Sequence, residues 1–383
     1  MINLGIVYYL FNMKGALYFL VANIFIALLI LYKQNKYYST NFNHDEYYAF
    51  KRNEKPVSFL RIYFGLISFV YIKFLLMSLT ILACYIGILV IKQISKKEKN
   101  YLDSQAYLTS MRYCNYINYI LVKIAGVFNP KNITLKMSSK IDEIYTKYLG
   151  KDYEKSDKTL YPIIICNHIG WLDIFFLASI NTSTFVAKKS VGKLPVVGAI
   201  CSALGAVWVD RATNSEGKNV DAFSAINERQ DKIMKDEDKV KITIFPEATG
   251  SNNIGINKFK KGAFFKLNPI KPFVILTFGI NGGVLTDEFS ISAGVMNMFL
   301  HMVLTYCYLY IDDWRYIDLP VIVPNDYMFE TYKHLGKDKT DVYTEVCRNI
   351  MSEISGLKLN DDMDFSKKMN YLSILKGKEI KNT

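Results

Sequence analysis

The residues best equipped for chemistry are a histidine and an aspartate five positions apart, His168 and Asp173, within YPIIICNHIGWLDIFF (residues 161–176). A neutral imidazole can take a proton from an alcohol. A carboxylate bonded to its other nitrogen fixes the tautomer and stabilises the imidazolium. Positions i and i+5 lie about 140° apart on an ideal helix, so the pair meets only if His168 sits on a loop ahead of the helix that carries Asp173. The pattern permits this. Ile163, Ile164 and Ile165 read as a buried strand, Cys166-Asn167-His168 and Gly170 break it, and a helical pattern starts near Asp173. In an open α/β sheet the carboxyl ends of the strands are where ligands bind. A structural histidine bonded at a helix start is the commoner reason for such a pair, so the two residues alone do not decide.

Further clusters fall near other strand ends. GAVWVDRA (residues 205–212) delivers Asp210 and Arg211. The planar guanidinium of Arg211 suits bidentate bonding to phosphate, although a surface ion pair uses the same residues. IFPEATGSN (residues 244–252) runs from a strand into Pro246, Glu247, Ala248 and Thr249. Its small residues would let backbone N–H groups approach anionic oxygens, or would form an ordinary turn. Lys258, Lys260 and Lys261 cluster just beyond, over a phosphate or on solvated surface. NPIKPFVI (residues 268–275) is a proline-led turn into a strand that closes one wall and carries no chemistry. No Walker loop, GxGxxG, HExxH or GxSxG is present, which excludes the usual nucleotide, zinc-protease and α/β-hydrolase sites.

The elements that must position these residues follow from patterning. Short β-rich runs (182–187, 205–209, 240–245, 272–278 and 317–323) alternate with helical patterns. They predict an α/β fold, a mixed, mostly parallel sheet flanked by helices. Residues 104–127 predict a helix stopped by Asn129-Pro130, NITLKM (132–137) a strand, and 140–158 a surface helix and loop. Of 383 residues 51% are apolar, with 28 Tyr and 24 Phe, a composition suited to a membrane interface. Residues 15–32 match a bilayer span and lack the cleavage site of a signal peptide. The basic loop 33–61 then belongs in the cytosol. The run 62–91 is interrupted by Lys73 and followed by Lys92, Lys96, Lys97 and Lys99. Basic residues on both flanks favour a re-entrant hairpin bending near the middle over a tilted single span. Residues 293–311 read as a helix lying on the membrane or in the core, because a span would strand 317–323 away from its sheet. The division is thus a membrane region (1–99), a catalytic domain (100–355) and a polar basic tail (356–383) expected to be poorly ordered. The net charge of +12 comes from scattered basic residues without a nucleic-acid signature, so lipid or a phosphorylated small molecule is the expected partner. Six widely spaced cysteines indicate neither a disulfide framework nor a zinc site, and a reducing compartment.

In order and spacing these clusters resemble the glycerolipid acyltransferase family, the lysophospholipid acyltransferases. Asn167-His168 through Asp173 corresponds to NHxxxxD, Gly205 through Arg211 to GxxxxxR, and Phe245-Pro246-Glu247-Ala248-Thr249 to FPEGT. FVAKKSVGKLPVVG (185–198) is similar to the link between the first two motifs, and the resemblance covers about residues 105–330. It implies transfer of an acyl chain from acyl-CoA, the co-substrate, to a lysophospholipid hydroxyl. His168 would be the base and Asp173 its orienter. Asn167, Arg211, Glu247, Ala248 and Thr249 would bind the acceptor, and Lys258, Lys260 and Lys261 would face CoA phosphates. No metal or bound cofactor is implied. The expected place is the endoplasmic reticulum membrane: the hairpin would return the chain to the cytosolic face before the catalytic domain, whereas a tilted single span would put that domain in the lumen. The chain departs from the pattern in having Ala248 for the usual glycine, and Gly250 where many members acting on lysophosphatidic acid have arginine. TGSNNIGINKFKKGAF is more similar to the branch acting on lysophosphatidylcholine or lysophosphatidylethanolamine. DDMDFS (361–366) lacks the glycine and glutamate of a calcium loop. Other readings are a 1-acylglycerol-3-phosphate acyltransferase making phosphatidic acid, a lysolipid or acyl-CoA hydrolase, and a non-catalytic lipid-binding protein on the same fold. Headgroup, acyl chain and oligomeric state stay open.

Overall fold

The computed structural model describes residues 13–38, 45–52, 54–94, 101, 104–153, 159–209, 220–277, 280–281, 288–311 and 314–377. Its strands are β1 (Lys131–Asn132), β2 (Ile163–Cys166), β3 (Ser183–Lys188), β4 (Val207–Val209), β5 (Lys241–Ile244), β6 (Gly255–Asn257), β7 (Ile270–Thr277), β8 (Ile280–Asn281), β9 (Glu288–Phe289), β10 (Trp314–Asp318) and β11 (Lys358–Asn360). The main sheet has the order β1-β10-β7-β2-β5-β3-β4. Strands β7, β2, β5, β3 and β4 are parallel, and β10 with its parallel neighbour β1 runs antiparallel to β7. β2 is central, and all four of its residues are buried, as expected of a strand covered on both faces.

Period-two alternation divides that strand between two cores. Ile163 and Ile165 join Ile242, Ile244, Val274 and Leu276 on one face, under α4 (Ser138–Leu149) and α8 (Lys339–Ser355). Ile164 and Cys166 join Phe273 and Ile275 on the other. That face is covered by α1 (Met13–Asn35), α2 (Phe59–Ile94), the end of α3 (Gln105–Ala125), α5 (Leu172–Ile180) and α7 (Met298–Tyr306). Helix α6 (Val220–Met234) adds Ile226 and Ile233 to the first core, and α9 (Phe365–Leu375) follows β11.

The expected strand at 132–137 is reduced to β1, followed by a 3-10 turn at Leu135–Met137. The Asn132 side chain accepts from both the backbone N and the hydroxyl of Thr134, so a side-chain turn replaces the ladder. The expected strand at 317–323 is shifted to Trp314–Asp318, with a single bridge from Ile322 to Ile270. Pro320, which has no N–H to donate, separates the two.

Helices α1 and α2 are long and apolar enough to cross a membrane, by length and composition, and only 17% of each apolar window is buried. The bend expected within 62–91 is absent. Apart from a π-helical turn at Leu66–Val70, α2 runs unbroken through Ile94, and α3 brings the chain back antiparallel to it. Cys84 and Cys114 face each other at 3.4 Å, Tyr113 donates to the Ala83 carbonyl, and Lys92 lies over the Tyr101 ring. Lys73, which suggested the break, is buried against protein. It donates to the carbonyls of Ala125, Tyr308 and Leu309. These include the unpaired end of α3, so the charge is satisfied without a bend.

Two boundaries also move. Ile62, Leu66 and Val70 lie in the same core as Tyr306 and Cys307, so the start of α2 is part of the domain. The tail expected to be poorly ordered contributes β11, paired in parallel with β6, and α9, whose buried Tyr371 stacks on Tyr47 at 4.9 Å. α7 is a nine-residue core helix, with Leu300, His301, Val303 and Leu304 buried.

The docking of α2 is testable at Gly65. A Cβ there would lie 2.5 Å from the Cys307 Cβ and 2.6 Å from its Cα. Gly65→Ala is expected to cost about 1–3 kcal/mol by overpacking, read as a lower thermal midpoint of the detergent-solubilised protein by near-UV circular dichroism. An unchanged midpoint would place Gly65 away from Cys307.

Candidate active site

The turn between β2 and α5 is built around one carboxylate oxygen. Asp173 Oδ2 accepts from the backbone N of Ile169 at 2.6 Å and of Gly170 at 2.9 Å, and it meets His168 Nδ1 at 2.9 Å. A carboxylate can only accept, so Nδ1 carries the proton and Nε2 keeps its lone pair. Asp173 is wholly buried and sits in the first turn of α5, where the helix dipole favours an anion. His168 lies ahead of the helix, as the five-residue spacing requires, and its side chain is 22% exposed. Its ring stacks on Phe245 with centroids 4.3 Å apart, and Phe245 in turn stacks on Phe185.

A second layer fixes the backbone of this turn. His168 N donates to Glu247 Oε1 at 2.8 Å, and the other oxygen of Glu247 accepts from Asn257 N at 3.0 Å. The His168 carbonyl accepts from Ser251 N, and the Ile169 carbonyl from Ala293 N. Buried Arg52 holds the last of these loops by donating to the carbonyls of Ser290, Ser292 and Ala293. Burial pushes the Glu247 carboxyl up to about 8, against the pull of its two amide donors and the Arg348 guanidinium. Burial likewise raises the Cys166 thiol well above its ordinary range, which leaves it a poor nucleophile.

The expected site residues separate into three groups. His168 and Asp173 meet. Asn167 and Glu247, expected to contact an acceptor, are buried and bond mainly backbone, Asn167 also donating to Asn253 Oδ1. Asn167 Oδ1 accepts from Ile275 N, and its Nδ2 donates to the Ile275 carbonyl, which extends the β2–β7 pairing by one residue. Glu247 joins the turn to β6, as described. Thr249 is buried beside them, and Ala248 adopts φ 56°, in the left-handed region. Of the lysines, Lys261 is paired with Asp341, whereas Lys258 and Lys260 are exposed. Arg211 and Asp210 lie outside the described residues. Sequence reasoning missed Arg348. Its signal was a charge among the apolar positions Val342, Val346, Ile350 and Met351 of a helix. Among the described residues no group of three or more His, Cys, Asp or Glu is placed to hold a metal ion.

A mixed, largely parallel sheet thus carries a His–Asp pair at the carboxyl end of its central strand. Residues 151–277 match the sequence model described as Acyltransferase. It is 32% identical over 215 residues to the lysophospholipid acyltransferase LPEAT1 of Arabidopsis thaliana, covering 56% of this chain and 49% of that protein. It is 30% identical to LPEAT2 of the same plant over 34% of this chain and 23% of that one. A 1-acyl-sn-glycerol-3-phosphate acyltransferase of Saccharomyces cerevisiae is 33% identical over 30% of this chain and 38% of its own length. The chain therefore spans about half or less of these curated relatives. The crystal structure of the 1-acyl-sn-glycerophosphate acyltransferase PlsC of Thermotoga maritima aligns with TM-score 0.42 at 14% identity, over 75% of this chain and 97% of that one.

The family pattern and the backbone agree at position 248. A left-handed conformation costs a residue with a Cβ roughly 1–2 kcal/mol, and glycine gives part of this back as unfolded-state entropy. Ala248→Gly is expected to stabilise the protein by about 0.5–1 kcal/mol in chemical denaturation. A destabilised variant would contradict the left-handed turn.

Proposed function

We propose that this protein is an integral membrane O-acyltransferase that moves an acyl group from acyl-CoA to the free hydroxyl of a lysophospholipid. The observation that carries the reading is the His168–Asp173 pair. Its geometry leaves Nε2 as a base on a partly exposed ring, at the sheet edge where a substrate can reach it. Nε2 takes the proton of the acceptor hydroxyl as that oxygen attacks the thioester carbonyl. Asp173 stabilises the imidazolium that forms. The tetrahedral intermediate then collapses, the carbon–sulfur bond breaks, and the imidazolium returns its proton to the CoA sulfur. The acyl chain passes directly to the lipid, which suits the buried, poorly nucleophilic Cys166. Arg211 and exposed Lys258 and Lys260 supply cations for the phosphates of acceptor and CoA. Helices α1 and α2 hold the domain at the membrane.

The names of the relatives, LPEAT1 and LPEAT2, support a lysophospholipid acceptor. The yeast relative supports the second reading, a lysophosphatidic acid acceptor. Gly250 in place of an arginine favours a phosphodiester acceptor, which carries less charge.

Purified protein, incubated with labelled acyl-CoA and a panel of lysolipids, is expected to yield a diacyl lipid. His168→Ala should abolish transfer, and Asp173→Asn should lower kcat by roughly 100- to 10,000-fold while the protein stays folded. Free fatty acid as the main product would identify a hydrolase. Near-normal transfer by His168→Ala would sink the mechanism.

A further inference from the structure

We infer that Arg348, outside the matched acyltransferase stretch, is a positioning residue for His168 that acts through β6 and Glu247; the inference rests on the acyltransferase reading of that histidine. Arg348 is 1% exposed at the middle of α8. Its Nε donates to the Asn257 carbonyl and one terminal nitrogen to the Ile256 carbonyl, both at 3.0 Å. The other terminal nitrogen meets Asp361 at 2.7 Å and Glu345 at 3.2 Å. β6 is held on its far side by β11, where Asn360 Nδ2 donates to Asn257 Oδ1.

Asn257 is thus gripped from three directions, and its remaining backbone group, the N–H, points at Glu247 Oε2. Glu247 passes the constraint on, because its second oxygen receives the His168 N–H. That contact sets the backbone of the residue whose ring must meet Asp173.

Charge matters as much as shape. Two N–H donors require two acceptor oxygens. A protonated Glu247 keeps one carbonyl acceptor and turns the other oxygen into a hydroxyl, a weaker acceptor for its N–H. The charged and titratable groups around Glu247 are Arg348 from α8, Asp173 from α5, Cys166 from β2, and His168 itself. Arg348 is the cation among them that favours the ionised form, while Asp173 and burial oppose it. Loss of the guanidinium therefore raises the pH below which the acceptor pair fails.

The test uses the full chain in detergent, with Arg348→Lys, Arg348→Met, Glu247→Gln and the Glu247→Gln/Arg348→Lys double variant. One readout is kcat and KM for acyl transfer against pH. The other needs no turnover: the pH profile of His168 carbethoxylation by diethyl pyrocarbonate, located by mass spectrometry. Arg348→Lys keeps the charge but loses the forked geometry, and it is the variant expected to fold if Arg348→Met does not. The expected result is a kcat lowered on the order of 10-fold with KM changed less than about 2-fold. The acid limb of transfer and the His168 profile should both move to higher pH in Arg348→Met, and less in Arg348→Lys, which keeps the charge. The Arg348→Lys effect should largely vanish in the Glu247→Gln background. A His168 profile that stays in place in every Arg348 variant overturns the inference, whatever happens to the transfer rate. Absence of acyl transfer by the wild-type chain would overturn the acyltransferase reading instead, and a shifted carbethoxylation profile would still establish the link from Arg348 to His168.

Discussion

The site depends on a single buried carboxylate. Burying a carboxylate is costly unless donors meet its lone pairs, and three donors meet Asp173 Oδ2, whereas Oδ1 is buried without a hydrogen bond among the described residues. Two of these donors are consecutive backbone N–H groups that would otherwise be orphaned where β2 ends and α5 begins. The same oxygen therefore closes the turn, supports the start of the helix and selects the imidazole tautomer. Chemistry and local folding are one interaction here, and a change that frees the histidine also opens the turn.

That arrangement makes the surrounding loops interdependent. The His168 backbone spends its N–H on Glu247 and its carbonyl on Ser251, while the Ile169 carbonyl takes Ala293 N. Gly170 packs so closely that a Cβ would lie 3.2 Å from the Ile291 carbonyl. Loops that follow β5 and β9 thus complete a turn that follows β2, and segment 290–293 is itself tied by Arg52 from the stretch between the two long apolar helices. Lys368 adds a contact from α9 to the Gly250 carbonyl. Backbone groups buried together must be paired, so these segments have few independent conformations.

Local signals in the sequence located the His168–Asp173 pair and most of the sheet. Three isoleucines marked β2, polar residues and Gly170 marked its end, and the five-residue spacing placed His168 off the helix. What stayed hidden was every role whose partner is distant backbone. Asn167 and Glu247 have the residue types of ligand-binding groups, and only β7 and β6 reveal that they bond main chain. Lys73 looked like a charge that a membrane helix could not carry, because its acceptors lie 52, 235 and 236 positions away. The polar tail concealed Tyr371, one buried ring whose partner Tyr47 stands near the other end of the chain. Composition reports the average environment of a segment, and these residues are its exceptions.

Helix α2 shows how two environments are reconciled in one element. Thirty-six residues make a helix of about 54 Å, longer than a hydrocarbon core of roughly 30 Å. Its start is committed to the domain core through Ile62, Leu66 and Val70. Beyond Lys73, Leu75, Leu76, Leu79, Leu82, Ile86, Leu89 and Val90 are exposed at near-helical spacing, while Cys84 and Ile88 face α3. An exposed apolar stripe of this length is unfavourable in water and favourable against lipid. Because the same helix also packs beside α7 and into the core that holds Ile169, the part of α2 that suits a bilayer is mechanically continuous with the turn that carries His168. For the proposed lipid acceptor, this continuity would bring the imidazole to the hydroxyl without requiring the lipid to leave the membrane.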